Sequence, residues 1–194
     1  MQPPNKYARI ERERRFLLQG FPVAGAVRIR HITDRYIDGT LLRLREQADD
    51  GCTAIFKLTQ KVPARASGAQ QGLITSIYLT EGEFRLLAQL PAKVLSKVRY
   101  SVPPFGIDVF EGALQGLLLA EAEFHSAAEA DALILPDFVL HEVTDDERFT
   151  GGQLVRASRA NVEKWLAEYA ITVSDSHQLH SPEGGWSGDS GQPI

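Results

Sequence analysis

The sequence of 194 residues has one cysteine, Cys52, and no long apolar segment. A single thiol can form neither an internal disulfide nor a cysteine-based zinc cluster, which agrees with a reducing compartment. No apolar run approaches the roughly 18 to 20 residues of a membrane-spanning helix, and the opening MQPPNKYARIERERR has no apolar signal-peptide core. We therefore expect a cytoplasmic protein with no membrane partner.

The sequence also has no excess of basic residues. The chain carries 21 Lys and Arg against 25 Asp and Glu, a net charge of −4. Proteins that bind the phosphate backbone broadly usually present a strongly basic face, so we expect no nucleic-acid partner. A monomer and a homodimer both remain open.

The length and the 43% of hydrophobic residues suit one globular domain, which we expect to cover residues 1–172. Residues 173–194 are rich in Gly, Ser and Pro and have few apolar side chains. Such a segment cannot offset the entropy of ordering it, so it is predicted to be a disordered tail.

Two-residue alternation and turn residues predict short strands through most of the chain. The expected strands are Ile10–Leu18, Ala26–Ile32, Arg35–Ile37, Thr40–Glu46, Cys52–Lys61, Leu73–Leu79, Val94–Val102, Gly106–Glu111 and Leu117–Phe124. Asp38 and Gly39 are predicted to form a two-residue hairpin turn in which both residues have positive φ.

Helices are predicted where a capping residue precedes an apolar face. Capping boxes begin at Thr80 and Ser126, and Ser158 can cap a helix that should pack across the barrel or close one mouth. The predicted fold class is α+β and mainly β: a closed antiparallel barrel of roughly eight strands with a few flanking helices.

Charged residues recur two positions apart within these strands, which places them side by side on one face. The rows are Glu11, Glu13 and Arg15; Arg43 and Arg45; Lys57 and Lys61; Lys97 and Arg99; Glu121 and Glu123. A half-buried sheet with its charged face in water would give the same alternation. Like charges side by side repel, however, and five such rows suggest a ligand of opposite charge between them.

If the strands close into a barrel with these rows inside, both kinds of charge meet a ligand in one lumen. The basic side chains suit phosphate oxygens, with arginine binding oxygen pairs in a two-pronged manner. The glutamates are hard oxygen donors that suit Mg²⁺ or Mn²⁺. An anion of the triphosphate type together with a divalent metal would neutralise both sets.

The motifs resemble those of the CYTH family, the triphosphate tunnel metalloenzymes. The start Ile10-Glu11-Arg12-Glu13-Arg14-Arg15 is similar to the family's Glu-x-Glu-x-Lys signature, with Arg15 in the place of lysine. The ordered series continues to about residue 157 through Leu42-Arg43-Leu44-Arg45, Phe56-Lys57-Leu58-Thr59, Lys97-Val98-Arg99, Ile107-Asp108, Glu121-Ala122-Glu123 and Glu142-Val143-Thr144.

The resemblance implies an antiparallel tunnel that binds triphosphate-containing compounds and uses Mg²⁺ or Mn²⁺. By matching position, the metal ligands would be Glu11, Glu13, Glu121 and Glu123. The phosphate-binding residues would be Arg15, Arg43, Arg45, Lys57, Lys97 and Arg99. Lys97, Arg99 and Glu123 are assigned to the catalytic step, and Asp108 and Glu142 to supporting roles.

One family feature is missing on the strand before the first capped helix. Hydrolytic members commonly carry another Glu-x-Glu pair there, whereas this chain has Ile74 and Ser76. A second metal often generates the attacking hydroxide, so the second site is in doubt. Arginine at position 15 keeps the charge of lysine but changes the geometry.

Three functions therefore compete. The leading hypothesis is a metal-dependent phosphohydrolase acting on inorganic triphosphate or a related small molecule. The second is a triphosphate- or polyphosphate-binding module with weak or no catalysis, which the Ile74 to Ser76 departure favours. The third is a nucleotide cyclase, for which no adenine pocket is identifiable in the sequence.

Overall fold

The computed structural model describes residues 6–18, 20, 25–64 and 67–172. Within these ranges the strands are β1 (Arg9–Leu18), β2 (Arg28–Ile37), β3 (Leu42–Asp49), β4 (Ile55–Pro63), β5 (Gln70–Leu79), β6 (Ala92–Val102), β7 (Phe105–Phe110), β8 (Leu118–Glu123) and β9 (Val139–Glu142). The α-helices are α1 (Glu81–Leu87), α2 (Ala127–Asp131), α3 (Gly151–Leu154) and α4 (Arg159–Glu168).

Eight of the strands form a closed antiparallel barrel. The strand order is β5-β4-β3-β2-β6-β7-β8-β1, and β1 also pairs with β5, which closes the sheet. One edge of β1 is shared by two strands, because Arg9 to Arg12 pair with β5 and Phe16 to Leu18 pair with β9. The prediction of a closed, mainly β, roughly eight-stranded barrel is confirmed.

Helix α4 covers one end of the barrel. Leu17 and Leu119, opposite each other on β1 and β8, pack with Val162 and Leu166 of α4. These side chains belong to the larger apolar cluster, which also includes Phe149 from the segment before α3. Ser158 caps α4 by accepting from the Asn161 N–H, as its position in the sequence predicted.

A second apolar cluster lies on the outer face of β1, β7 and β8. Phe16, Ile107 and Ala120 are fully buried there beneath Phe138 and Val139 from the segment after α2. Because side chains alternate across a strand, Phe16 and Leu18 of β1 lie on this outer face, whereas Glu13 and Arg15 lie on the inner face. The covering segment therefore fixes which side of β1 faces the lumen.

Several local predictions need correction. Residues 28–37 form a single strand, not two, because β2 pairs along its whole length with β6. The turn after Ile37 is longer than two residues, and only Gly39 has positive φ, at 72°. Strand β9 was not predicted, because four residues carry little periodicity. The predicted tail, residues 173–194, lies outside the described residues.

No helix in the described ranges is both long and apolar enough to cross a membrane.

Candidate functional site

The charged rows lie on the inner face of the barrel. Lys61 Nζ of β4 lies 2.6 Å from Glu11 Oε1 of β1, although β5 separates the two strands in the sheet. Interactions across intervening strands require the side chains to share the lumen, as the sequence predicted.

Asp108 is the centre of the cluster on β6, β7 and β8. Its carboxylate is fully buried and accepts from Lys97 Nζ and from Arg99, whose Nε lies 2.6 Å from Oδ1 and whose second nitrogen lies 2.7 Å from Oδ2. Arg99 also donates to Glu121. Gly106 gives Arg99 room, because a Cβ at that position would lie 3.2 Å from Arg99 Cδ.

Burial and charge shift the pKa values of this cluster in opposite directions. Burial lowers the pKa of Lys97, despite the neighbouring Asp108 carboxylate. Burial acts to raise the pKa of Glu121, but the positive charges of Arg99 and Lys97 outweigh it, and the pKa is lowered. Glu121 therefore stays ionised in the lumen.

Asp34 forms a second cluster with the arginines of β3. Arg45 binds it in a two-pronged manner, with nitrogen–oxygen distances of 2.6 and 2.7 Å. Arg43 Nε lies 3.5 Å from Asp34 Oδ1, an ion-pair distance, and has no hydrogen-bond partner within the described chain. Burial raises the pKa of the adjacent Tyr36 to about 12, and the charge of Asp34 contributes.

Arg15 is held by the chain itself. Its guanidinium donates to Glu13 Oε1 at 2.7 Å and to the Thr144 carbonyl at 2.6 Å. The Arg15 backbone N–H also donates to Thr144 Oγ1, which in turn donates to Glu142. Arg15 thus ties β1 to the segment after β9, while its buried Nε has no partner among the described residues.

The carboxylates of the lumen are of the ligand type that binds a divalent metal. Burial raises the pKa of Glu13, and the negative charge of Glu121 raises it further, whereas Lys61 and Arg15 oppose the shift. Carboxylate oxygens are the ligands that Mg²⁺ and Mn²⁺ prefer.

These carboxylates are not assembled as a metal cage. Glu11 pairs with Lys61 at 2.6 Å, while Glu13 and Glu121 pair with Arg15 and Arg99. No group of three or more potential ligand side chains in the described ranges is arranged to hold a metal ion. Metal binding would therefore exchange these ion pairs for metal–oxygen contacts.

Two predicted site residues lie away from the buried clusters. Glu123 is exposed at the end of β8, although its Cα is opposite that of Glu13. Glu142 binds Arg14, with nitrogen–oxygen distances of 2.9 and 2.6 Å, and accepts from Thr144, which contacts Arg15. Lys57 is half-buried and contacts the Tyr78 ring. The structure brings the other predicted residues together.

The two positions that lack carboxylates also face the lumen. Ile74 is opposite Lys61, and Ser76 is opposite Thr59, so all four share the inner face. The Ser76 and Thr59 hydroxyls lie 2.9 Å apart. This wall of the barrel is neutral or basic, whereas the wall made by β1 and β8 carries the glutamates.

Sequence reasoning missed the roles of three site residues. Asp34 is almost fully buried between two arginines, Lys61 pairs with Glu11, and Thr144 holds Arg15. Asp34 alternates with Ile32 and Tyr36 on β2, a signal that could have placed its carboxylate on a buried face. The contact of Thr144 with Arg15 spans 129 residues and has no local signal.

Comparisons with known proteins agree with this geometry. No family model matches the chain. An inorganic triphosphatase from Nitrosomonas europaea is 33% identical over 148 residues, which cover 72% of this chain and 92% of that protein. A crystal structure of an inorganic triphosphatase is 27% identical with a TM-score of 0.50, covering 76% of this chain and 95% of the other. A crystal structure of a hypothetical protein gives 27% identity and a TM-score of 0.51, covering 76% and 99%. By this relationship, and by the charged barrel interior that accompanies it, the chain belongs to the CYTH family of triphosphate tunnel metalloenzymes.

Proposed function

We propose that the protein hydrolyses inorganic triphosphate, or a closely related small triphosphate, in the barrel lumen with the aid of a divalent metal. The observation that carries the proposal is the set of buried arginines and lysines that meet across the lumen. Of the three buried donors that have no hydrogen-bond partner in the described chain, Arg15 Nε and Arg43 Nε lie in the lumen and Arg35 Nε does not. Because buried donors are almost always satisfied in proteins, these nitrogens favour an anionic ligand.

The chain's own residues perform most of the proposed reaction. Arg43 and Arg45 on one wall and Lys97 and Arg99 on another bind the phosphate oxygens and stabilise the charge that develops on the leaving diphosphate. Water attacks the terminal phosphorus, the bridging P–O bond breaks, and orthophosphate and diphosphate leave. A bound Mg²⁺ or Mn²⁺, held by Glu11, Glu13 and Glu121 with Glu123, would polarise the phosphoryl oxygens.

Arg43→Ala tests this proposal. Losing one preorganised donor to the developing charge lowers kcat by about 10²- to 10³-fold in other enzymes, and we expect a loss of that order here. The barrel should survive because Arg45 still binds Asp34 through two hydrogen bonds. The measurement is phosphate release from inorganic triphosphate with Mg²⁺ or Mn²⁺, with folding checked by circular dichroism.

Arg85→Ala is the matched control, since Arg85 lies exposed on α1 and pairs with Glu81 four residues away. This variant should hydrolyse triphosphate at the normal rate. Absence of turnover in the folded wild-type protein with either metal would refute the proposed hydrolysis.

A binding module with weak or no catalysis is the second candidate. The lumen-facing positions 74 and 76 hold an apolar side chain and a hydroxyl already in contact with Thr59, so this wall supplies no carboxylate for a second metal. If the module interpretation is correct, calorimetry will detect metal-dependent triphosphate binding by a wild-type protein that releases no phosphate.

Carboxylates added to the inner wall then provide the discriminating prediction. In the binding-module case, the double variant Ile74→Glu, Ser76→Glu should gain phosphate release because it restores a Glu-x-Glu pair on the lumen face. The matched control is Thr75→Glu, Ile77→Glu, which adds the same charge to the opposite face of the same strand. Equal rates for the two double variants would contradict a role for these positions in metal binding.

A further inference from the structure

The barrel has an outer surface on β1, β4 and β5 that is made of uncharged side chains. Because Ile74 and Ser76 face the lumen, the residues that alternate with them on β5 face outward, and so do the residues paired with those. Three outward rows result: Ile10, Leu73 and Val62; Thr75 and Gln60; Ile77 and Leu58. We call these seven residues the outer β5 face, and none of them carries a charge.

The outer β5 face is partly open to solvent. Ile10 is 46% exposed, Val62 41% and Ile77 54%. The surfaces on either side of it are covered. The segment after α2 lies over β1, β7 and β8, and Phe84 of α1 packs on Phe56 in the row next to Ile77, with ring centroids 4.6 Å apart. An exposed apolar surface built from three adjacent strands is typical of a protein–protein contact.

Opposite charges lie at the two ends of the outer β5 face. Arg12 lies two residues after Ile10 on β1, and its guanidinium reaches the His125 carbonyl beside α2. Glu81 lies in the first turn of α1, directly after β5, and 61% of its side chain is exposed. Since β1 and β5 are antiparallel, Arg12 and Glu81 mark opposite ends of the face along the strands.

We propose that the outer β5 face is the interface of a homodimer with two-fold symmetry. In such a dimer the same surface of each copy meets itself, so the apolar rows pack on each other and no like charges oppose at the centre. A two-fold axis that runs across the strands reverses their direction in the second copy. Arg12 of one copy then lies beside Glu81 of the other.

A second copy suits this face better than a charged partner does. A strongly charged partner would find no ion pair at the centre, whereas a second copy supplies apolar strands that pack face to face at about 10 Å. The interface also lies on the opposite side of β1 and β5 from the lumen. Dimerisation therefore leaves the lumen open and does not depend on the proposed hydrolysis.

Sedimentation velocity of the full chain tests the proposal. The wild-type protein should sediment with twice the chain mass of 21.4 kDa. The double variant Val62→Glu, Ile77→Glu sets like charges against each other across the interface, and we expect it to raise the Kd of the dimer by about 100-fold or more. Both side chains are partly exposed in the single chain, so the variant should fold, which circular dichroism checks. Ile134→Glu is the control, because Ile134 is 88% exposed on the segment after α2 and should leave the dimer intact.

Chemical cross-linking locates the interface independently of these variants. Thr75 lies in the middle row, so its two copies approach each other in the proposed dimer. In a Cys52→Ser background, Thr75→Cys should therefore be joined between chains by a short bismaleimide. Lys164→Cys in the same background, on the exposed face of α4, should not be joined.

Three results would overturn the proposal. The first is a wild-type protein that stays monomeric at about 100 μM, well above the Kd of a stable interface. The second is a dimer that the double variant leaves unchanged and that Thr75→Cys does not cross-link, because the contact would then lie on another surface. The third is a monomer that dimerises only after removal of residues 173–194, which would assign the face to that segment.

Discussion

At the scale of single residues, the buried acids Asp34 and Asp108 organise the arginines and lysine of the lumen. Each carboxylate lies between two basic side chains and fixes their positions in the lumen. Removing one partner of a buried ion pair leaves an unpaired charge in a poorly solvated place, which is costly. These acids therefore act on the chemistry through the geometry of the arginines and lysines.

Asp34→Asn is predicted to destabilise the protein strongly. The substitution leaves Arg43 and Arg45 facing an uncharged amide, and breaking a buried pair costs about 3–5 kcal/mol. Urea unfolding at pH 7 measures the loss. Glu81→Gln, which breaks the exposed pair with Arg85 on α1, should change the free energy of unfolding by less than about 0.5 kcal/mol.

The loss of stability caused by Asp34→Asn should depend on pH. Burial acts to raise the pKa of Asp34, but the charges of Arg43 and Arg45 outweigh it and the folded pKa is lowered. A lowered folded pKa contributes stability above the unfolded value of about 3.9, and this contribution is lost as the pH falls from there towards the folded pKa. The stability difference between wild type and Asp34→Asn should therefore shrink below about pH 4. A difference that stays constant from pH 7 to pH 3 would contradict the assignment.

At the scale of elements, the sequence predicted the pieces that depend on local signals. Thr80 and Glu83 form the expected capping box of α1, and Ser158 caps α4. The capping box predicted at Ser126 is only half formed. The Ser126 side chain caps α2, but the Glu129 carboxylate accepts from the His125 N–H. Strand β9, and with it the division of the β1 edge between β5 and β9, could not be predicted from local signals. The pairing of β9 with β1 joins residues more than 100 positions apart in the sequence.

Leu166→Ala tests whether α4 is part of the barrel's folding unit. Leu166 is buried and packs in the same cluster as the lumen-facing Leu17 and Leu119. Truncating a buried leucine to alanine costs about 2–5 kcal/mol, and we expect that loss in a single cooperative unfolding transition. Lys164→Ala, on the exposed face of α4, is the control and should have a small effect. Two separate transitions would show that α4 unfolds independently of the barrel.

At the scale of the whole molecule, the five rows of charges spaced two residues apart, together with the resemblance to the CYTH family, predicted that these charges share an interior. Glu11, Glu13, Arg43, Arg45, Lys97, Arg99 and Glu121 all lie there. Which cation binds which acid could not be predicted, because each pair depends on strand register around the closed barrel. Arg15 illustrates the limit: its charge was expected to bind phosphate, whereas in the structure its guanidinium donates to Glu13 and to the Thr144 carbonyl.

A ligand that replaces these internal ion pairs should stabilise the whole barrel. Inorganic triphosphate would satisfy the buried donors of Arg15 and Arg43, and Mg²⁺ would offset the negative charges of Glu13 and Glu121. A ligand at 100 times its Kd stabilises the folded state by about 2.7 kcal/mol, which raises the Tm of a domain of this size by about 5–11 °C.

Thermal melting followed by circular dichroism measures this shift. Triphosphate with Mg²⁺ should raise the Tm more than either component alone, and Arg43→Ala should reduce the shift because it removes one of the donors. Sodium chloride at matched ionic strength controls for screening of surface charges, which acts on exposed pairs far more than on buried ones. An equal shift with sodium chloride would mean that the anion does not enter the lumen, since a general salt effect would then explain the stabilisation.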